Sequence, residues 1–137
     1  MLKITGRIRG DEDTTIEFIT AGTMKSRGDI SYICYEESEI SGMEGVTTSL
    51  SIGPDKIKMR RLGKGLDETV MEFEKGKRHS GLYATPYGNI GMELLTNDIK
   101  NVKKDDCLSK LSIDYDFSLK GIAESRNTLE IEILGGQ

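Results

Sequence analysis

The chain has 137 residues. A domain of this length buries about 68 to 70% of the surface that its unfolded chain exposes, and it does not need disulfides or a bound metal for stability. We therefore expect one domain over residues 1–137. Its 23 acidic and 19 basic residues give a net charge of −4, which argues against binding nucleic acid through the phosphates. Cys34 and Cys107 match no metal-ligand spacing, and the chain shows neither a secretory signal nor a membrane-length apolar run. We expect a cytoplasmic protein with no metal, cofactor, nucleic-acid or membrane partner.

Short segments that alternate apolar and polar residues follow one another along the chain. The first alternates Leu2, Ile4 and Ile8 with basic and hydroxyl residues, and the last alternates Leu129 and Ile131 with glutamates. A period of two places one set of side chains on each face of a strand. The pattern predicts strands at residues 2–9, 14–23, 30–36, 46–52, 56–61, 69–73, 78–85, 90–96, 111–119 and 129–133.

Three places in this series are less regular. Residues 30–36 carry apolar side chains on both parities, so the orientation of that strand is ambiguous. Pro86-Tyr87-Gly88-Asn89 is typical of a turn, because proline fixes φ and glycine or asparagine accepts a positive φ, and it predicts a hairpin. Residues 96–106 are polar and are predicted to be mostly loop.

Leu111 to Leu119 is the clearest strand of the series. Its odd positions are apolar, while its even positions include Asp114 and Asp116. Two carboxylates about 7 Å apart on one strand face could serve acid catalysis or bind a cation. Exposed alternating charge is the far commoner cause of such a pattern, and we predict that these aspartates face water.

The series contains about ten strands and no segment with a convincing helical period. Successive strands with short polar connections favour an all-β antiparallel meander. Pairing the first strand with the last would remove both exposed edges. The prediction is a closed meander β-barrel of about eight to ten strands, calycin or lipocalin-like, and the alternative is a two-sheet sandwich.

From about Val46 onward the chain resembles the YwiB-like family of uncharacterised bacterial β-barrel proteins of the calycin type. The most specific stretch is Tyr83-Ala84-Thr85-Pro86-Tyr87-Gly88. The other residues that carry the resemblance are Val46-Thr47-Thr48, Met59, Arg61, Gly63, Phe73-Glu74, Gly76 and Leu111 to Phe117. The resemblance implies a closed antiparallel barrel and, because the family has no established activity, implies no function.

Arg61 is the anomaly of its strand, because it continues the apolar parity of Ile57 and Met59. Its side chain is therefore predicted to point inward, where a guanidinium needs a partner. The candidates are Glu36 or Glu72, the phenolic groups of Tyr35, Tyr83 or Tyr115, or the head group of a bound anion. The residues predicted to line the interior, including the only histidine, are Arg61, Met59, His79, Tyr83, Tyr115 and Tyr35.

Two classes of function are open at this stage, and an enzyme is the third choice. The sequence contains no recognisable catalytic motif, and no Ser-His-Asp motif is found around His79. The first class is a barrel whose interior binds a small amphipathic or anionic ligand. The second is a filled barrel that acts as a protein-interaction or structural module, for which a homodimer is one arrangement.

Overall fold

The computed structural model describes residues 1–10, 12–38, 40, 44–63, 65, 67–105, 107–120 and 123–134. These residues form eleven strands, so the all-β prediction is confirmed. In chain order they are β1 (Leu2–Arg9), β2 (Thr14–Thr20), β3 (Gly22–Arg27), β4 (Ile30–Glu36), β5 (Val46–Ile52), β6 (Ile57–Gly63), β7 (Thr69–Phe73), β8 (Arg78–Thr85), β9 (Gly88–Lys104), β10 (Cys107–Leu119) and β11 (Ala123–Ile133).

The strands form two antiparallel sheets. The six-stranded sheet has the order β2-β1-β11-β10-β9-β8, and the five-stranded sheet has the order β3-β4-β5-β6-β7. The first strand pairs with the last, with Leu2 opposite Ile133. The chain passes to the five-stranded sheet at Ala21 and returns through the turn between β7 and β8.

The predicted closed barrel is wrong. Pairing β1 with β11 occurs inside one sheet, and no strand ladder joins the two sheets in the described part of the chain. At the seam between β7 and β8, side chains occupy backbone groups that a ladder would use. The Ala84 N–H donates to Thr69 Oγ1 at 3.0 Å, and His79 Nε2 lies 3.3 Å from the Val70 carbonyl oxygen. The architecture is therefore the two-sheet alternative.

The inner faces of both sheets share one hydrophobic core. Phe73 of β7 packs edge-on against Tyr115 of β10, with ring centroids 5.0 Å apart, which links the two sheets. The ambiguous strand β4 turns its odd residues inward, because Ile33 and Tyr35 are buried whereas Tyr32 is exposed. The alternation of Leu111, Ile113 and Tyr115 is confirmed by their burial.

The prediction of a loop over residues 96–106 is wrong, since β9 runs to Lys104 and pairs with β10 in a long hairpin. The register shifts where Asp114 pairs with Asp98 and Tyr115 with Thr96, which leaves Asn97 unpaired in the ladder. Such a β-bulge changes which parity faces inward. Thr96 is accordingly buried before the bulge, and Ile99 packs against the core after it.

Gly22 lies where the chain changes sheets, and we predict that Gly22→Ala is destabilising. A Cβ there would lie 2.9 Å from the Cys34 carbonyl oxygen and closer still to Leu2 Cδ1. Because backbone must move to relieve the first contact, we expect a loss of about 1 to 3 kcal/mol in the free energy of unfolding. Urea denaturation measures the change.

Gly6→Ala is the matched control for this prediction. Among the described residues nothing lies within 4 Å of a Cβ built on Gly6. Alanine should therefore be neutral or add about 0.4 to 1 kcal/mol by restricting the unfolded chain. Equal unfolding midpoints for the two variants would contradict the close packing of Gly22 against β4.

Candidate ligand-binding cleft

A cleft of about 610 Å³ opens between the sheets, beside the end of β1 and the start of β11. This volume falls within the range of about 300 to 1,000 Å³ that small-molecule sites occupy. Its walls carry apolar side chains from both sheets, namely Ile4, Ile8, Ile16, Phe18, Met71, Phe117 and Leu129. Gly6 stands between Ile4 and Ile8 on β1, and its missing side chain adds to the open space.

Arg61 brings charge into this apolar cleft. In the register of the five-stranded sheet, Tyr35 pairs with Thr48, Thr48 with Arg61, and Arg61 with Thr69. These four residues form one row across β4, β5, β6 and β7. The inward direction predicted for Arg61 from its parity is confirmed, because its side chain is only 17% exposed and lines the cleft.

The carboxylate beside Arg61 is Glu37, so the predicted partners Glu36 and Glu72 are wrong. Glu37 Oε2 lies 4.0 Å from Arg61 Nε, and the Glu37 side chain is 2% exposed. Thr48 Oγ1 donates a hydrogen bond of 2.6 Å to the same oxygen. Glu36 is exposed, and Glu72 forms an ion pair with Lys56. Glu37 is thus held in place by Thr48 and faces the guanidinium.

One donor in this row lacks an acceptor. Within the described part of the chain, the buried Arg61 Nε has no hydrogen-bond partner, whereas the Tyr35 hydroxyl interacts with the side chains of Glu37 and Thr48. At 4.0 Å the Glu37 oxygen is too far from Arg61 Nε for a hydrogen bond. Buried polar groups are normally satisfied, and an unsatisfied donor calls for a bound acceptor such as water, an ion or a ligand. The row therefore presents an unpaired donor to the cleft.

Electrostatics keeps these groups protonated. Burial raises the pKa of the Tyr35 hydroxyl, and the negative charge of Glu37 raises it further. Burial opposes the charge on Arg61, but the carboxylate of Glu37 keeps the pKa of Arg61 raised. Burial also raises the pKa of Tyr115. At neutral pH the cleft accordingly presents a guanidinium and phenolic O–H groups.

Aromatic contacts fix the other tyrosines around the guanidinium. The rings of Tyr83 and Phe117 meet edge-on with centroids 5.8 Å apart, and those of Tyr115 and Phe117 meet at 6.4 Å. Asn127 Nδ2 donates to the Tyr115 hydroxyl at 3.4 Å, a long contact. These contacts leave the rings little freedom to reorient.

The structure brings together four of the six residues predicted for the interior. Tyr35, Arg61, Tyr83 and Tyr115 all line the cleft. Met59 is fully buried in the core, and His79 lies at the β7–β8 seam with Nδ1 3.9 Å from Glu72 Oε2. Sequence reasoning missed Glu37, although it extends the odd parity of Ile33 and Tyr35 by one step.

The two aspartates of β10 have structural partners. Arg126 donates to both oxygens of Asp114, at 3.2 and 2.9 Å, and Asn97 donates to Asp116 at 3.2 Å. Arg126 also holds the pKa of Asp114 below its usual range. Among the described residues no group of His, Cys, Asp or Glu has the arrangement of a metal site. The same part of the chain contains no helix long and apolar enough to cross a membrane.

The fold and cleft define an all-β protein with two antiparallel sheets and an arginine held between them. The chain belongs to the family described as a domain of unknown function, DUF1934, whose profile matches residues 2–131. Its structure is similar to the crystal structure of the ywiB protein from Bacillus subtilis, with a TM-score of 0.73 and 20% identity. The match covers 99% of this chain and 90% of that one, and it confirms the YwiB-like family. No curated protein was found to match the chain.

Proposed function

We propose that the protein binds a small amphipathic ligand whose carboxylate lies against Arg61 and whose apolar part lies along the cleft. The observation that carries the proposal is the buried Arg61 Nε, which lines the open cleft and has no acceptor in the described part of the chain. A guanidinium matches the two oxygens of a carboxylate, and phenolic O–H groups add further donors. The apolar walls supply the surface that binds a hydrocarbon tail.

The charges around the cleft favour a singly charged head group. Arg61 already faces Glu37, and the cleft lining also includes Arg7, Glu12 and Glu124. Two positive and three negative side chains would repel a multiply charged phosphate more strongly than a monocarboxylate. The apolar walls then contribute most of the affinity, through burial of a hydrocarbon chain at about 0.8 kcal/mol per methylene.

Decanoate is a suitable probe, and Arg61→Met tests the head-group site. Methionine keeps an unbranched apolar side chain and removes the charge and all five donors. We expect isothermal titration calorimetry to show saturable binding of decanoate to the wild type, weakened at least tenfold, about 1.4 kcal/mol, in Arg61→Met. Arg60→Met is the matched control, because Arg60 is the exposed neighbour on the same strand and should leave affinity unchanged.

The alternative function is a structural or protein-interaction module in which Arg61 stabilises the fold and binds no ligand. That function predicts no saturable binding of decanoate to the wild type, together with marked destabilisation of Arg61→Met in urea. This combination would contradict the ligand proposal. The open volume of about 610 Å³ beside the Arg61 Nε, which is unpaired among the described residues, is the reason for preferring the binder.

A further inference from the structure

A second cavity of about 310 Å³ lies at the seam between β7 and β8. Its walls include Val46 of β5, Gly63 of β6, and Ala84 and Pro86 at the end of β8. The β7 and β8 backbones form no ladder here in the described part of the chain, and the Ala84 N–H is bound by the Thr69 hydroxyl instead. The open seam leaves space between the two strands.

Arg61 and Tyr83 line both this seam cavity and the larger cleft. The two spaces therefore border the same arginine and the same tyrosine. The larger space has about twice the volume of the smaller one. A ligand carboxylate bound to Arg61 would therefore lie next to both spaces, and hydrocarbon groups attached to it could enter each of them.

We infer that the ligand carries its carboxylate between two apolar arms, one in the cleft and one in the seam cavity. The inference rests on the proposed function and specifies its ligand class: a carboxylic acid branched next to the carboxyl carbon, rather than a linear fatty acid. A linear acid has its carboxylate at one end, so it fills one space and leaves the other to water. A branched acid removes apolar surface from water in both.

The rim of the seam cavity fits an arm of limited length. Asn89 Nδ2 donates to Asp67 Oδ2 at 2.9 Å and ties the β8–β9 hairpin to the segment before β7. Asp67 and Glu44 contribute carboxylates to the lining, where a long hydrocarbon arm would have to displace their water. The shorter arm is therefore assigned to the seam cavity.

Two acids of identical composition test the inference. Decanoate is linear, and its isomer dibutylacetate carries two butyl arms on the carbon next to the carboxylate. We expect calorimetry on the wild-type protein to show about tenfold tighter binding of dibutylacetate than of decanoate. Equal affinity, or tighter binding of decanoate, would overturn the two-armed ligand while leaving the proposed function standing. Failure of both isomers to bind would contradict both.

Substitutions that fill one cavity at a time test which arm of the ligand each cavity binds. Val46 lies on the inner parity of β5 beside the buried Thr48, so Val46→Phe adds volume in the seam cavity. We expect it to abolish the preference for dibutylacetate and to leave decanoate affinity within twofold of the wild type. Gly6→Leu adds a comparable side chain in the larger cleft and should weaken both acids.

A second substitution at the seam cavity keeps the test decisive if Val46→Phe does not fold. Ala84→Leu approaches the same cavity from β8, and each variant is first checked for a cooperative urea transition. Loss of the preference in either folded seam variant, with decanoate affinity within twofold of the wild type, supports the inference. Retention of the preference in both contradicts it.

Discussion

Replacing Glu37 by glutamine is expected to destabilise the protein while tightening its binding of decanoate. The change keeps the shape of the side chain and removes the negative charge beside Arg61, which is 83% buried as a side chain and would lose its counter-charge. We expect the free energy of unfolding to fall by about 2 kcal/mol, less than for a fully buried pair, because the guanidinium still meets the cleft. Urea denaturation measures this loss.

The same substitution removes a carboxylate that repels an incoming anion. We expect the dissociation constant for decanoate to fall roughly tenfold, about 1.4 kcal/mol, by calorimetry. Glu36→Gln is the matched control, because Glu36 is the exposed neighbour of Glu37 and should change neither quantity. Stability and affinity that fall together in Glu37→Gln would mean that Glu37 shapes the site rather than opposing the ligand charge.

Replacing Phe73 by alanine is expected to cause the largest loss of stability, about 3 to 5 kcal/mol in the free energy of unfolding. Phe73 is fully buried and packs on Tyr115 with ring centroids 5.0 Å apart, so truncation leaves a cavity between the two sheets. Removing this support also frees the Tyr115 ring at the cleft, and we expect weaker decanoate binding in the folded fraction. Thermal and urea unfolding measure the first effect, and calorimetry the second.

Tyr87→Ala is the control for aromatic truncation. Tyr87 lies in the β8–β9 turn and is 99% exposed, so its removal should change stability by less than about 0.5 kcal/mol. A loss below 1 kcal/mol in Phe73→Ala would show that the sheets repack over the missing ring. That result would contradict the role assigned here to the Phe73–Tyr115 contact.

The inward direction of Arg61 could be predicted from sequence because a strand with period two fixes each side chain relative to its neighbours. Ile57 and Met59 determined the buried face of β6, and Arg61 followed. Its partner could not be predicted in the same way. Which carboxylate reaches Arg61 depends on the register across β4, β5 and β6, and periodicity within one strand contains no information on register.

The bulge at Asn97 explains why the sequence pattern after Thr96 does not resemble a strand, although β9 continues to Lys104. Before it, Met92, Leu94 and Thr96 face the core on even positions, and after it Ile99 does so on an odd position. A single inserted residue interrupts the alternation, so the continuation of the strand has the appearance of an irregular polar segment. The tip of the hairpin adds exposed lysines, which further conceal the strand pattern.

Closure of a barrel could not be predicted from the sequence for a different physical reason. The first strand does pair with the last, but this pairing alone does not close a barrel. Whether the remaining edges join depends on the backbone groups at the β7–β8 seam, which Thr69 and His79 contact with their side chains. Sequence alternation records which residues are buried but does not record whether neighbouring edges share hydrogen bonds.

The pairing of β1 with β11 also has a consequence for synthesis. At about 5 to 20 residues per second, a ribosome completes β11 on the order of ten seconds after β1. During that interval β1 has only β2 as a ladder partner, and the apolar face containing Leu2, Ile4 and Phe18 has no completed core to cover it. Contacts between segments so far apart in sequence also slow folding. Synthesis of β11, rather than local strand formation, therefore sets the earliest moment at which the cleft can exist.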